Sequence, residues 1–440
     1  MQTWALLMFP VLFLLLLLGY PVAFTLGAVA LVFGWLFLGL DFFGLLPLRI
    51  WGVMTNFTLL AVPLFVFMGM VLERSGLAAD LLETAGRLCG RRRGGLAFAS
   101  VLIGGLLAAT TGVVGATVVT MGVIALPAML KHGYSPSLAS GTVAAAGTLG
   151  QIVPPSIVLI LLGDVMGVPV GRLFVGAVLP GMLLIFLYLL YILLVAWRRP
   201  QAAPAVAPAA AEGLDGDLVL RAVCGLLPPL LLVAAVLGSI FLGIASPTES
   251  AALGALGAVL LAVVRGRLNL AGLYQAMLQT LRLTSMVFLI LIGATAFGLV
   301  FRGIGGDAAI FGFMTSHFSS AAGFLLASMV LIFLLGLFLD FLEICFIVVP
   351  VLAPIGVYFG LDPLWLGLLI ALNLQTAFLT PPVGFSLFYL KGAAPSLPLR
   401  ALYRGIVPFV CIQVAVIVLL ASCPRCALWL PDLADRLQGL

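Results

Sequence analysis

Apolar residues dominate the chain in runs separated by short polar or glycine- and proline-rich stretches. The runs are about 15 to 25 residues long, enough for a helix to cross the hydrocarbon core of a bilayer. Stretches such as 12–18 are apolar at every position and do not alternate with polar residues. Strands of a membrane β-barrel would alternate, so the pattern predicts an all-α protein that spans the membrane several times.

Composition supports this prediction, because 64% of the 440 residues are hydrophobic, 8% are charged and the mean hydropathy is +1.33. Such values exclude a soluble enzyme and a disordered chain. The net charge of +5 does not indicate a nucleic-acid partner, because basic residues beside apolar runs set membrane orientation. No Lys or Arg precedes the N-terminal apolar run and another run follows it, so we expect a retained membrane span.

The two halves of the chain match each other at an offset of 227 residues. Six pairs of Gly or Pro coincide at this shift without a gap: Gly27 and Gly254, Pro127 and Pro354, Gly133 and Gly360, Pro136 and Pro363, Pro154 and Pro381, and Pro155 and Pro382. Internal repeats of this kind are common in secondary transporters. The coincidence indicates that one structural unit was duplicated.

Each half is predicted to contain two spans, a third span, a short arm, a long hairpin, an interrupted helix and a closing helix. In the first repeat, 1–197, these lie at about 4–18, 22–40, 55–73, 77–93, 95–130, 136–163 and 173–197. In the second repeat, 218–422, they lie at about 220–241, 246–264, 273–302, 303–318, 320–358, 362–390 and 402–422. Between them, 198–217 is rich in Ala and Pro and is predicted to be a flexible cytoplasmic linker, and 423–440 is a C-terminal tail.

The distribution of basic residues predicts that the two repeats are inserted in opposite senses, because Lys and Arg accumulate on the cytoplasmic side. With the first arm inside, fifteen basic residues lie in the cytoplasm: Arg74, Arg87, Arg91, Arg92, Arg93, Lys131, Arg198, Arg199, Arg221, Arg265, Arg267, Arg282, Lys391, Arg400 and Arg404. Five lie outside: Arg49, Arg172, Arg302, Arg425 and Arg436. Both termini are then outside, as in the inverted-repeat architecture of secondary transporters.

Patterns typical of catalysis or of resident metal sites are lacking in the sequence. The chain has only two histidines, His132 and His317, and it contains no HExxH and no phosphate-binding GxxxxGK[ST]. Its six cysteines have no metal-cluster spacing, and the CxxC of Cys423 and Cys426 has no His or second Cys pair nearby. We therefore predict that the protein is not an enzyme and uses no organic cofactor.

Candidate chemistry is confined to four places inside the apolar segments. The first is 108–120, near the tip of the first hairpin, where threonines and glycines recur. Their hydroxyl and carbonyl oxygens suit an alkali-metal ion that has lost its water, although small residues also serve helix packing. Two more places are the double prolines, which remove backbone donors and break a helix. Polar residues flank both breaks: Thr148, Gln151 and Ser156 in the first, and Asn373, Gln375, Thr376 and Thr380 in the second.

The fourth place holds two acidic residues in the second hairpin. Asp340 and Glu343 are three residues apart and so share one helix face. Carboxylates in a membrane segment are costly unless they are paired or bind a cation, which indicates a functional role. Arg302 is a candidate partner for a substrate carboxylate through two parallel hydrogen bonds, and an ordinary interfacial arginine is the alternative.

Motifs along nearly the whole chain resemble the large membrane subunit (DctM-like, M subunit) of tripartite ATP-independent periplasmic (TRAP) transporters. The matching pieces are GYPVAF (19–24), VPLFVFMG (62–69), LPAMLKHGYSP (126–136), GTLGQIVPPSIVLILLGD (147–164), SPTESAALGA (246–255), FLDFLEICFIVVPVLAPI (338–355) and LTPPVGFSLF (379–388). The resemblance implies Na⁺-driven import of an organic anion across the bacterial inner membrane. It also implies an elevator-type domain of two re-entrant hairpins and two discontinuous helices, a small four-helix membrane subunit and a periplasmic substrate-binding protein.

The polar places and the resemblance together predict two sets of site residues. The ion ligands are Thr110, Thr111, Gly112, Gly115, Thr117, Thr148, Gly150, Pro154, Ser156, Asp340, Glu343, Thr376, Thr380, Pro381 and Gly384. The substrate contacts are Thr117, Ser156, Arg302, Asn373 and Thr380. Many relatives have an Asp where Thr117 aligns, so one ion site has only neutral ligands, and the choice between Na⁺ and H⁺ coupling is left open.

Three alternatives to a TRAP transporter subunit differ in the features that they require. A stand-alone dicarboxylate or anion carrier of similar elevator architecture, which could be proton-coupled, would need no binding protein. A membrane-embedded acyl or prenyl transferase would need clustered His or acidic residues at a membrane face. A purely structural membrane protein would leave the duplicated proline breaks beside buried acids without a role.

Overall fold

The computed structural model describes residues 2–76, 81–82, 84–86, 89, 92–205 and 216–438. Within these residues every regular element is a helix, which confirms the predicted all-α class. Six helices are long and apolar enough to cross a membrane. The count is seven if Leu40–Met54 and Thr58–Arg74, which meet at 54°, are taken as one bent span.

In the first half, ten helices have both ends within the described residues. They are α1 (Gln2–Leu6), α2 (Met8–Leu17), α3 (Val22–Leu38), α4 (Leu46–Met54), α5 (Ala61–Arg74), α6 (Gly95–Thr111), α7 (Val114–Lys131), α8 (Pro136–Thr148), α9 (Ile157–Met166) and α10 (Val170–Arg198). Short 3₁₀ turns at Leu40–Leu45, Thr58–Leu60 and Leu149–Gln151 join some of them. The predicted hairpin is therefore α6 with α7, and the predicted interrupted helix is α8 with α9.

The described part of the second half also contains ten helices. They are α11 (Gly216–Phe241), α12 (Pro247–Val264), α13 (Leu270–Gly303), α14 (Gly306–His317), α15 (Ala321–Gly336), α16 (Phe341–Tyr358), α17 (Pro363–Leu379), α18 (Phe385–Ala393), α19 (Leu399–Ser422) and α20 (Arg425–Gln438). Inside α16, Ile344–Val348 is a π-helical segment. The second predicted hairpin is α15 with α16, and the second interrupted helix is α17 with α18.

Both interrupted helices begin with the same local signal. Ser135 caps α8 by accepting the Leu138 N–H at 3.3 Å, and Asp362 caps α17 by accepting the Trp365 N–H at 3.0 Å. A proline follows each cap, where its missing N–H costs nothing and its fixed φ suits the first helical position. These starts are encoded within a few residues, which is why the sequence predicts them closely.

The helix bounds repeat at the offset found in the sequence. Both ends of α7 recur at that offset as the ends of α16, and α9 recurs as α18 within one residue. The Gln375 Nε2 donates to the Thr148 Oγ1 at 3.4 Å, and these two residues are themselves 227 apart. Equivalent positions of the two halves therefore meet in the protein interior.

Other segments differ from the predicted ones. Helices α4 and α20 were not predicted from the sequence, and α1 and α2 are separate helices where one span was predicted. The linker is packed where it begins, because Ala203 is fully buried and the carbonyls of Ala202 and Ala203 accept the N–H groups of Ser135 and Gly94. The prediction of a flexible linker is wrong for this stretch, and 206–215 lies outside the described residues. So do Arg87 and Arg91 and other parts of the predicted arm at 77–93.

Two groups of helices pack mainly within themselves. In the first group α3 and α5 pack on α13, and α5 also packs on α12. In the second group α8 packs against α6, α7 and α19, while α17 packs against α15, α9 and α19. Nearly every residue of α8 and α17 is buried, so these two broken helices form the centre of the second group.

A crossing of two glycines joins α8 to α19. A Cβ added to Gly141 would collide with the backbone carbonyl of Gly405, and one added to Gly405 would collide with the Ser137 carbonyl oxygen. The backbones can approach this closely only because neither residue has a side chain. We expect Gly141→Ala to lower the free energy of unfolding by at least about 1–3 kcal/mol, the usual cost of overpacking.

Thermal unfolding of the detergent-solubilised protein measures this effect. Gly238→Ala in α11 is the matched control, because nothing lies within 4 Å of a Cβ at Gly238. Equal melting temperatures for the two variants would show that α8 and α19 are not in backbone contact.

Candidate functional site

The tip of the first hairpin is a tight turn between α6 and α7. Gly112 caps α6 with a φ of +62°, a left-handed conformation that favours glycine. The Thr111 and Thr117 hydroxyls, one on each side of the turn, lie 2.8 Å apart and share a hydrogen bond. A Cβ at Gly112 would come within 2.9 Å of the Ile157 side chain, so the tip rests on the start of α9.

The first proline break follows α8 and faces the same tip. After the turn Leu149–Gln151, the chain passes through Pro154 and Pro155 and enters α9. The Ser156 hydroxyl donates to the Gln151 carbonyl oxygen at 2.8 Å. A Cβ at Gly150 would come within 2.6 Å of the Ala108 carbonyl oxygen, so the break packs on the backbone of α6. Backbone carbonyls, hydroxyls and amide side chains are concentrated here in a buried layer.

The second proline break has the same construction. Thr380 is the C-cap residue of α17, and its hydroxyl donates to the Thr376 carbonyl oxygen at 2.7 Å. Pro381 and Pro382 follow, and Gly384, the residue before α18, has a φ of +46°. The Ser386 hydroxyl then reaches back across the break and donates to the Phe378 carbonyl oxygen at 2.9 Å.

The tip of the second hairpin carries the acidic pair. Asp340 lies before α16 and caps it, because its Oδ1 accepts the Phe341 N–H at 2.7 Å. Glu343 is one turn further along and is buried, with 7% of its surface exposed. A Cβ at Gly336 would come within 2.7 Å of the Ala377 Cβ, which places this hairpin on α17.

These parts converge on a cavity of about 560 Å³, here called the Asp340 cavity. Its lining from the hairpins and broken helices is Val113, Val114, Gly115, Ala116, Val119, Ile157, Asp340, Phe341, Leu342, Phe378 and Tyr389. Its lining from α5 and α13 is Val66, Met70, Glu73, Gln279, Arg282, Leu283, Met286 and Val287. The cavity therefore lies between the two groups of helices, with Asp340 at one wall and Arg282 at the other.

Only two predicted ion ligands, Gly115 and Asp340, line the Asp340 cavity directly. The others do not line it and lie at the tips and breaks, or about one turn from them: Thr110, Thr111, Gly112, Thr117, Thr148, Gly150, Pro154, Ser156, Glu343, Thr376, Thr380, Pro381 and Gly384. Asn373, predicted to contact substrate, does not line this cavity, and its Nδ2 donates to the Met329 carbonyl oxygen of α15 at 2.6 Å.

Arg302 lies in a different cavity, of about 950 Å³, here called the Arg302 cavity. Arg49, Asn56, Asp164 and Asp307 also line it. Arg282 and Arg302 belong to the same helix, α13, and the rise of 1.5 Å per residue separates their backbones by about 30 Å. The structure therefore brings Arg282, which the sequence did not single out for this role, to the Asp340 cavity, and it does not bring Arg302 there.

Two buried glutamines beside the breaks were left out of the predicted ligands. Among the described side chains, Gln151 is buried with no partner for either amide atom, and the Gln375 Oε1 also has none. Their position beside the double prolines is the sequence feature that could have identified them as ligands. Tyr389 was missed as well, and its ring comes within 3.1 Å of a Cβ at Gly115. No local pattern marks Tyr389, because its role depends on how α18 packs against α7.

Two short hydrogen bonds join the two groups of helices, in addition to the packing of α5 on α6. The Thr120 hydroxyl on α7 donates to the Glu73 Oε1 on α5 at 2.6 Å, beside the Asp340 cavity. The Asn56 Nδ2, between α4 and α5, donates to the Asp164 Oδ1 at the end of α9 at 2.5 Å, and both residues line the Arg302 cavity. Each cavity therefore has one polar contact between the groups next to it.

The family model for the DctM component of tripartite ATP-independent periplasmic transporters matches residues 9–426. The chain belongs to this family. A similar protein is the C4-dicarboxylate TRAP transporter large permease protein DctM of Pseudomonas aeruginosa, 32% identical and covering 88% of this chain and 89% of its own. The sialic acid TRAP transporter large permease protein SiaM of Vibrio cholerae is 31% identical, over 95% of this chain and 96% of its own length. The resemblance identified from the sequence is confirmed.

The fold is similar to that of the Alcanivorax borkumensis YdaH transporter in its crystal structure. The TM-score is 0.62 with 17% identity, over 91% of this chain and 96% of that chain. The TRAP permease is thus a multi-pass helical membrane protein of a transporter family, and its matched relatives are named as permeases rather than enzymes. Large permeases of this family work with a small membrane subunit and a periplasmic binding protein, and one relative is a single DctMQ permease.

Proposed function

We propose that this TRAP permease imports an organic anion, a carboxylate, across the bacterial inner membrane by Na⁺ symport. A periplasmic binding protein delivers the substrate, and a small four-helix subunit completes the membrane complex. The observation that carries the proposal is the Asp340 cavity, where the two hairpin tips and side chains of α9, α17 and α18 face Arg282 across one space. Relatives are named for C4-dicarboxylates, sialic acid, ectoine and isethionate, so family membership leaves the cargo undetermined.

The duplicated halves support an inverted repeat with boundaries at 1–197 and 218–422. An approximate two-fold axis in the membrane plane would bring equivalent residues of the halves together, and Thr148 and Gln375 meet in this way. Arg74 donates to the Gln279 Oε1 at 3.2 Å, and Gln279 is three residues from Arg282. This contact agrees with the assignment of Arg74 and Arg282 to the same side of the membrane. Arg172 similarly pairs with Asp435 at 3.0 Å near the C-terminus.

The two groups of helices correspond to a fixed scaffold and a moving transport unit. The scaffold contains α3, α5, α12 and α13, and the transport unit contains the hairpins α6–α7 and α15–α16 with the broken helices α8–α9 and α17–α18. Each group packs mainly within itself, and α5 packs on α6 where the groups meet, so one group would slide past the other along that contact. Substrate would then cross by an elevator movement of the hairpins and breaks past α5 and α13.

The donor groups at the tips and breaks fit Na⁺. Hydroxyl and carbonyl oxygens are hard, neutral ligands of the kind that replace water around an alkali-metal ion. Thr111, Thr117, Thr148 and the freed carbonyls of both breaks supply such oxygens, and Asp340 supplies a negative charge. Gln151 adds an amide oxygen that has no partner within the described part of the chain.

Asp340 explains how Na⁺ binding and anion binding would be coupled. A carboxylate that lines the cavity repels a substrate carboxylate, and the low dielectric of the protein interior strengthens this repulsion. A bound cation beside Asp340 cancels that charge, and Arg282 can then attract the anion. Substrate would bind only after Na⁺, and Thr117, Ser156 and Thr380 would contribute to its binding. Arg302 would contact the anion at an earlier step, in the Arg302 cavity.

The structure corresponds to an inward-facing state under this proposal. Glu73, Gln279 and Arg282 line the Asp340 cavity, and Arg74 and Arg282 belong to the basic residues assigned to the cytoplasm. Arg49 and Arg302 line the other cavity and are assigned to the periplasm. The substrate site would therefore open toward the cytoplasm here, on the side opposite the binding protein.

Uptake into proteoliposomes tests the proposal. The chain is reconstituted with its small subunit, and labelled organic acids are offered outside together with the binding protein. We expect uptake only when an inward Na⁺ gradient and the binding protein are both present. Uptake without the binding protein would favour the stand-alone carrier, and uptake driven only by a proton gradient would contradict Na⁺ coupling and make Thr117 the first residue to examine.

A further inference from the structure

Two cysteines lie together where α19 ends and α20 begins. Cys423 follows the last residue of α19, and Cys426 is in the first turn of α20. The Cys426 N–H donates to the Cys423 carbonyl oxygen at 3.0 Å, and the Ala427 N–H donates to the Pro424 carbonyl oxygen at 3.0 Å. This turn places both side chains on the same side of the chain, as residues three apart in a helical turn are.

Both thiols of this turn are accessible to reagents. The side chain of Cys426 forms a hydrogen bond with Cys423, and this contact raises the pKa of the Cys426 thiol. Both residues are partly exposed, whereas Cys345 is buried inside the second hairpin. Because the two cysteines share one helical turn and are accessible, this CxxC can close into a disulfide.

The surroundings place this pair on the periplasmic side, a placement that rests on the topology of the proposed function. Arg172, at the start of α10, pairs with Asp435 at 3.0 Å and with Asp432 at 4.0 Å, so α20 lies on the side to which Arg172 is assigned. That compartment is oxidising, and disulfides form and persist there.

We propose that Cys423 and Cys426 form an intramolecular disulfide in the mature transporter. The thiolate of one cysteine attacks the disulfide of an oxidised periplasmic dithiol oxidoreductase, and the second cysteine then displaces that enzyme. Two thiols of the permease become one S–S bond, the oxidoreductase disulfide becomes two thiols, and the two protons pass to those thiols. No other oxidant is needed.

The disulfide would fix the direction in which α20 leaves α19. Helix α20 packs on α10 and also contacts α17, and the Ala427 carbonyl oxygen lies 3.4 Å from a Cβ at Gly176. Because the closed loop is very short, little chain entropy is lost on closing it, and overall stability should change little. The effect is local, because the disulfide would hold α20 against α10 and α17.

Thiol labelling in intact cells tests the proposal. The protein is made in cells with periplasmic dithiol oxidase, with Cys89, Cys224, Cys345 and Cys411 replaced, so that only the pair remains. A membrane-impermeant maleimide polymer is added before or after reduction with dithiothreitol. We expect no polymer attached before reduction and two per chain after it, while Cys423→Ser leaves Cys426 free to take one polymer without reduction.

Two results would overturn the disulfide, and they differ in what they say about topology. Two polymers attached in intact cells without reduction would mean that the thiols face the periplasm but stay reduced, which leaves the proposed topology standing. Labelling only after the membrane is permeabilised would place the C-terminus in the cytoplasm and would contradict the topology of the proposed function as well.

Discussion

Replacing Asp340 with Asn is expected to lower the affinity for Na⁺ by about two to three and a half orders of magnitude and to abolish Na⁺-driven uptake at ordinary Na⁺ concentrations. Removing one charge from a buried ion pair costs about 3–5 kcal/mol, and each 1.4 kcal/mol is a factor of ten in affinity. Asn caps a helix about as well as Asp, so the variant keeps the hydrogen bond from the Phe341 N–H and removes only the charge. The measurement is initial uptake as a function of Na⁺ concentration.

Asp362→Asn is the matched control for this variant. Asp362 also caps a helix, by accepting the Trp365 N–H, but it lies outside the lining of the Asp340 cavity. It should therefore keep the Na⁺ dependence of the original protein. If Asp340→Asn kept it too, at comparable folded yield, the assignment of Asp340 as the charge beside the ion would be wrong.

Joining the scaffold to the transport unit is expected to stop uptake completely. In a chain without its native cysteines, Asn56→Cys and Asp164→Cys are linked by a short bis-methanethiosulfonate reagent. The native side chains are 2.5 Å apart at their tips, so the link fits the present state. An elevator movement must separate them, so uptake should fall to the level of protein-free liposomes and return after reduction.

A second cross-link, within the scaffold, controls for the reagent and for rigidity in general. Arg74→Cys on α5 and Gln279→Cys on α13 replace side chains that are 3.2 Å apart in the native protein. Both helices belong to the scaffold, so their relative position should not change during transport. Unchanged uptake after complete linking of Asn56→Cys to Asp164→Cys would contradict an elevator movement along this interface.

The two interface hydrogen bonds also suggest why this state is populated. Each joins a carboxylate of one group of helices to a neutral donor of the other, at 2.5 Å and 2.6 Å. Hydrogen bonds to a charged group contribute about 1.5–3 kcal/mol each, which is enough to bias two states whose free energies are close. Both bonds would break when the transport unit moves.

Several features of this protein could be predicted from the sequence because their causes are local. Apolar runs long enough to span a bilayer predict helices there, since unpaired backbone groups are too costly in hydrocarbon. Double prolines predict where α8 and α17 must end, and the caps at Ser135 and Asp362 predict where they begin. The acidic pair in an apolar hairpin indicated a functional site, because carboxylates are costly in a membrane segment.

The partners of these features depended on the tertiary structure. The sequence analysis named Arg302 as the anion-binding candidate, and the packing of α13 against the second group of helices decides that Arg282 reaches the Asp340 cavity instead. The contact between Thr148 and Gln375, the place of Tyr389 and the packing of α20 on α10 likewise join distant segments. Helix limits follow from interactions within one or two turns, whereas such pairings follow from how whole helices pack, which no short stretch of sequence encodes.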